Sequence, residues 1–179
     1  MNRLASRYAL LSALFIVILP HWQRLDLWLD IAILLCFLWR IPAIEQRLPL
    51  PNTLIKALLV IASIAAIKYA YNTWFGPEAG TAFLILCAAL KLLETRDELD
   101  CYVVLTLSYF ILAAQFLFEK SLWTTLYAAL GIIWVTMAYV AQNKSISIRI
   151  ALKKSLMLLG QALPLMIVLY LFFPRLPPL

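Results

Sequence analysis

The chain has 179 residues, 65% apolar and 13% charged, with a formal charge of +6 and a mean hydropathy of +0.92. A soluble domain carries roughly 45–50% apolar and about 25% charged residues, so this chain has too little polar surface to face water on every side. Its basic residues are not interleaved with polar ones in a stripe, which excludes a nucleic-acid surface and leaves the lipid bilayer as the expected partner.

Seven apolar segments follow one another. Hydrocarbon offers backbone amides no partner, so each segment is expected to be helical. Long runs such as LLVIASIAAI lack the alternation of a barrel strand. In the first segment, 4–19, the apolar stretch Tyr8–Leu19 lies behind Arg3 and Arg7 and runs into Pro20-His21-Trp22-Gln23 without a small-residue cleavage site. That pattern reads as a retained signal anchor. His21, the one histidine, is expected in solvent or among head groups.

The second segment, 25–39, is shorter than the roughly 20 residues of a full span. It carries Asp26 and Asp30 four residues apart, expected in the outer interface, with a water-filled cavity as the alternative. The third, 54–71, has Ala62, Ala66 and Ala70 at four-residue spacing, which lets a neighbouring helix approach closely. Lys68 near its outer end is placed to snorkel. Gly76 and Gly80 form a G-x-x-x-G string, but Pro77 and Glu78 inside it put it in a loop.

The fourth segment, 81–93, contains Lys91, which pairs by spacing with Glu94, as Arg96 does with Asp100. Such i,i+3 and i,i+4 pairs stitch a helix end together, at about 0.3 kcal/mol each. The fifth, 101–118, holds Gln115, the sixth covers 122–141, and the seventh, 155–173, holds Gln161 and Pro164. Both glutamines are expected to bond across helices, but not to each other, because their depths differ by roughly 12 Å. Pro164 removes one ladder bond and is expected to kink the last helix, with the Gln161 amide as a local donor for the freed Gly160 carbonyl. A tolerated proline without mechanical consequence is the other reading.

Charge supplies the orientation. With a cytoplasmic N-terminus and seven crossings, the inner stretches hold Arg3, Arg7, Arg40, Arg47, Lys56, Lys91, Arg96, Lys144, Arg149, Lys153 and Lys154, and the outer ones Arg24, Lys68, Lys120 and Arg175. Eleven against four satisfies the positive-inside rule and puts the C-terminal FPRLPPL on the periplasmic side. Trp22, Trp28, Trp39, Tyr71, Trp74, Trp123 and Tyr139 fall near predicted helix ends, as in an interfacial aromatic belt, with simple apolar filler as the other reading for any one of them.

No catalytic constellation emerges. Cys36 and Cys101 fall toward the inner face, Cys87 mid-span and His21 at the outer face, too far apart in depth for a Cys–His–Asp triad. One histidine and scattered thiols do not make a zinc site, only four glycines are present, and no cofactor is expected. The candidate residues are therefore structural: Gln115, Gln161, Pro164, Lys91, Glu94 and Asp30.

The strings ALKLLETR (89–96), SYFILAAQFLF (108–118) and QALPLMIVLYLFFPRLPPL (161–179), with LPHWQRL before LWL and LWR near the start, resemble the N-terminal membrane domain of the transglutaminase protein A (TgpA-like) family. The resemblance covers essentially the whole chain, and the FPRLP-type exit is its most specific part. It implies a multi-pass bundle of the bacterial inner membrane, followed by a periplasmic transglutaminase-like domain with a Cys–His–Asp triad. Residues 1–179 read as a single transmembrane domain. The catalytic domain, expected after Leu179, lies in the same or a separate chain, and none of its residues can be carried over. The function so implied is anchoring and positioning of that acyltransferase or peptidase-like domain. The alternatives are a small transporter or channel, with Asp30, Lys68, Gln115 and Gln161 lining a path, or a binder of a lipid-linked envelope substrate.

Overall fold

The computed structural model describes residues 3–45, 52–71, 76–142 and 148–172. Arg47, Trp74, Lys144 and the FPRLPPL exit lie outside the described residues. Seven α-helices occur and no strand is found among the described residues: α1 (Arg3–Ile18), α2 (Leu27–Ile44), α3 (Thr53–Tyr71), α4 (Pro77–Glu94), α5 (Glu98–Phe118), α6 (Leu122–Ala141) and α7 (Ile148–Phe172). A 3-10 turn, Leu19–His21, closes α1. Five of them, α1 with its 3-10 turn, α2, α5, α6 and α7, contain stretches long and apolar enough to cross a membrane. In α3 the apolar stretch is Leu58–Tyr71, and α4 carries Glu78, Lys91 and Glu94.

Local chemistry explains where helices begin. Pro77 occupies the first turn of α4, where its missing N–H would have had no intrahelical partner. The Gly80 amide then donates to the Gly76 carbonyl at 2.9 Å. The G-x-x-x-G string is therefore the start of α4 and not a loop, and it brings Ala79 and Ala82 into the packed interior. Ser121 caps α6 by accepting the Thr124 amide at 3.2 Å. Helix α2 continues through Pro42 to Ile44, well past the expected end at Trp39. A proline so close to the C-terminus forfeits one ladder bond and leaves little helix beyond it to disturb.

Helices α1, α4, α5 and α6 form the middle of the bundle. Helix α1 lies against α5 and α6, α5 against α4 and α6, and α4 against α2 and α3. Leu10, Leu14 and Ile18 of α1 meet Ile85 and Leu92 of α4, Leu105, Ile111 and Leu112 of α5, and Val135 of α6 in one apolar core. A smaller cluster of Leu29, Ile67, Ala79, Ala82 and Leu86 joins α2, α3 and α4. Helices α5 and α6 approach closely at Gly131, where an added Cβ would stand 2.8 Å from Leu112 Cδ2.

The flanks differ from expectation. Helix α3 turns Ile67 toward α4 and leaves Ala62 and Ala70 exposed, so the alanine row is not its packing face. Helix α7 packs against α6, with Ala151 and Ser155 buried among its described residues.

Candidate functional site

Polar residues gather at the two ends of the bundle. At one end the α4–α5 connection is tied by charge. Lys91 Nζ lies 3.0 Å from Glu94 Oε2 and 2.8 Å from Asp100 Oδ1, joining the last turn of α4 to the first turn of α5. Asp100 Oδ2 accepts the Arg96 backbone amide at 3.2 Å. The expected Arg96–Asp100 pairing is thus made by the main chain. It leaves the Arg96 guanidinium for other use.

Behind this turn Arg40 is 2% exposed and donates through Nη2 to the Thr95 carbonyl at 2.9 Å, while its buried Nε has no partner. Thr95 follows α4, so a cation meets the carbonyl end of that helix, where the macrodipole favours positive charge. An open cavity of about 460 Å³ lies at the same end of the bundle. Ser6 and Arg7 line it from α1, Arg96, Asp97, Glu98, Leu99 and Cys101 from the start of α5, and Gln142 from the end of α6. Gln142 Nε2 donates to the Ser6 carbonyl at 3.2 Å and holds the α1 and α6 walls together.

The opposite end is built on His21, which is 1% exposed and not in solvent as its sequence position suggested. Pro20 in the 3-10 turn folds the chain back over the bundle, and His21 Nε2 donates to the Ile111 carbonyl at 3.2 Å. A carbonyl only accepts, so Nε2 carries the proton of that bond and Nδ1 is the acceptor nitrogen of the neutral ring. The imidazole meets Phe118 edge-on at 6.3 Å. Arg24 covers the same phenyl ring at 5.1 Å and reaches Glu119 Oε2 at 3.1 Å. The α1–α2 connection is thereby fastened to the end of α5.

Of the other sequence candidates, Gln115 is buried in α5 with its Oε1 unpartnered. Gln161 is exposed on α7 and not deep between helices. The two glutamines therefore do not act as a pair. Pro164 lies inside α7, in a stretch whose described residues are exposed. Asp26 is exposed ahead of α2, whereas Asp30 is half-buried with Oδ1 enclosed and unpartnered. A groove of about 470 Å³ separates α2 from α3, lined by Leu35, Trp39, Leu59, Leu86 and Leu90 among others.

No group of three or more His, Cys, Asp or Glu residues able to hold a metal occurs among the described residues. His21 lies against Ile111 and Phe118. Sequence reasoning missed His21 and Arg40 as interior groups. The signal for His21 was Pro20, which starts the turn that buries it. Arg40 gave a weaker one, a lone cation between apolar neighbours.

Residues 9–179 match the family described as the TgpA N-terminal domain. A protein-glutamine gamma-glutamyltransferase of Pseudomonas aeruginosa is 34% identical over 173 residues, which is 95% of this chain and 26% of that protein. The chain therefore spans about a quarter of the length of the curated relative it matches. No solved structure matches it.

Proposed function

The chain belongs to the TgpA N-terminal domain family, and from that premise we propose that it is a multi-pass module of the bacterial inner membrane that anchors and positions a transglutaminase-like acyltransferase domain. The observation that carries the reading is the overlap with the relative: 95% of this chain corresponds to 26% of a protein named for glutamyl transfer. The matched part here is apolar and helical, and the remaining three quarters of that relative have room for the chemistry. One helix suffices for tethering. A bundle whose connections are fastened by His21–Ile111, Arg24–Glu119 and Lys91–Asp100 has the rigidity that positioning needs.

Orientation follows from charge. Arg7, Arg40, Lys91 and Arg96 stand at the same end, and the positive-inside rule assigns that end to the cytoplasm. The C-terminus then leads to the periplasm. Periplasmic and cytoplasmic reporters fused after Leu179 check this, and a cytoplasmic signal would overturn it. For the positioning role, the bundle is replaced in the full-length protein by an unrelated single signal anchor. Attachment with most activity lost is the expected result. Undiminished activity would reduce the bundle to a tether.

A second reading, binding of a lipid-linked envelope substrate, draws on the groove between α2 and α3, whose α4 floor carries Leu86 and Leu90. Photo-crosslinking from a probe at Leu59 to a lipid-linked precursor tests it, and capture of bulk phospholipid alone counts against it.

A further inference from the structure

The cavity between the start of α1, the start of α5 and the end of α6 holds charges of both signs, of which Arg7, Arg96 and Asp97 are not paired with one another. Among the described residues, Arg7 and Arg96 form no ion pair, and neither does Asp97. Asp97 stands at the N-cap of α5, where an aspartate normally accepts one of the first helical amides, yet its side chain makes no such bond. Asp100 instead reaches back to the Arg96 amide. Two guanidinium groups and the carboxylates of Asp97 and Glu98 line about 460 Å³ of open space, and neither guanidinium forms an ion pair with Asp97.

Opposite charges that share a cavity but remain apart leave room for a ligand that carries both. Guanidinium groups match phosphate oxygens in geometry and donate two parallel bonds to them. A carboxylate accepts from a primary ammonium, which offers three donors. The walls are held in place, because Gln142 is bonded to the Ser6 carbonyl and Asp100 to Lys91. Leu99, 77% exposed on the rim, offers an apolar neighbour for the part of a lipid next to its head group. The cavity also lies at the end of α1, α5 and α6, each apolar enough to span, which is where head groups begin.

We propose that this cavity binds a head group carrying a phosphate and a primary ammonium, of the phosphoethanolamine type, with Arg7 and Arg96 on the phosphate and Asp97 on the ammonium. The ligand is presented by a phospholipid or as the free phosphoethanolamine. This goes beyond anchoring, since it names a specific site on the face opposite the one proposed for catalysis.

The test follows the thermal unfolding midpoint of the purified chain in neutral detergent while short-chain phosphatidylethanolamine, phosphatidylcholine or phosphatidylglycerol is titrated in. A saturable upward shift is expected, largest for phosphatidylethanolamine. Arg7→Gln with Arg96→Gln is expected to weaken the apparent affinity by about tenfold or more, as loss of charge-assisted bonds does. Lys153→Gln with Lys154→Gln removes two exposed cations of α7 outside the cavity and is expected to leave the shift intact. Equal shifts from the three lipids, retention of the shift by the arginine double variant, or equal loss in the lysine control would each overturn the proposal.

Should the arginine variant fail to fold, Asp97→Asn decides at an exposed position. It is expected to bring phosphatidylethanolamine down to the level of phosphatidylcholine, and an undiminished preference overturns the assignment. Soluble phosphoethanolamine, titrated alone, separates the sources. A shift supports the free head group as ligand, and none beside a lipid shift supports the phospholipid.

Discussion

In the α5 span 39% of the residues are buried and in the α7 span 11%, although both are long apolar helices. Helix α5 touches α1, α4 and α6, while α7 rests on α6. The residues of α5 that face inward include Ser108 and Gln115 beside Val104, Leu105 and Ile111. The described residues of α7 from Leu156 onward are mostly exposed, with large apolar groups such as Leu163, Leu165 and Met166 outermost. Apolarity therefore marks the solvent of a helix and not its neighbours. Lipid tails are as apolar as leucine, so the interior of such a bundle is recognised by close packing and by polar groups that find partners.

The sharpest way to test that difference is one substitution made twice. Gly131→Leu drives a side chain into Leu112 and is expected to destabilise the bundle by on the order of 2 kcal/mol, the cost of overpacking. Gly160 has nothing within 4 Å of an added Cβ, so Gly160→Leu should stay within about 0.5 kcal/mol. Reversible unfolding in mixed micelles by detergent titration measures both. Equal effects would dissolve the distinction between the two helices.

Next in size is a pair of polar truncations. His21→Ala removes the donor to the Ile111 carbonyl inside the bundle and is expected to cost about 1–3 kcal/mol. Gln161→Ala, at an exposed site, should remain within about 0.5 kcal/mol in the same titration. A large loss at Gln161 would mean that α7 meets a partner there.

Smaller still is the Arg24–Glu119 pair, exposed on both sides. Arg24→Ala should cost less than about 1 kcal/mol. The difference from the parent chain should shrink in high salt, where the Debye length falls to about 3 Å. Pro164→Ala is expected to have the least effect. The helix persists after the bundle comes apart, so its backbone term cancels, and the change should stay within about 0.5 kcal/mol.

Much of the architecture was legible without coordinates. Segment length and apolarity in lipid leave the helix as the only form, so seven runs predict seven helices. The Lys91–Glu94 spacing predicts the contact found at 3.0 Å. The errors share one cause. Sequence position predicts solvent for His21 and the interior for Gln161, because helix-end position and depth are readable along the chain, whereas facing is not. In water an amphipathic pattern betrays the inner face. In a bilayer both faces are apolar, and the Ala62–Ala66–Ala70 row, with Ala62 and Ala70 exposed, misleads for the same reason.

By itself the sequence determined the helical class and the number and order of helices, because hydrocarbon admits no unpaired backbone and charge is costly within it. Only the tertiary structure decided which side chains meet. It folded His21 under the Pro20 turn, matched Arg40 to the Thr95 carbonyl, left the start of α5 without a side-chain cap from Asp97, and brought Arg7 from the start of the chain to the same cavity as Arg96. Those encounters depend on the rotation of each helix about its axis, which close packing sets and hydropathy does not.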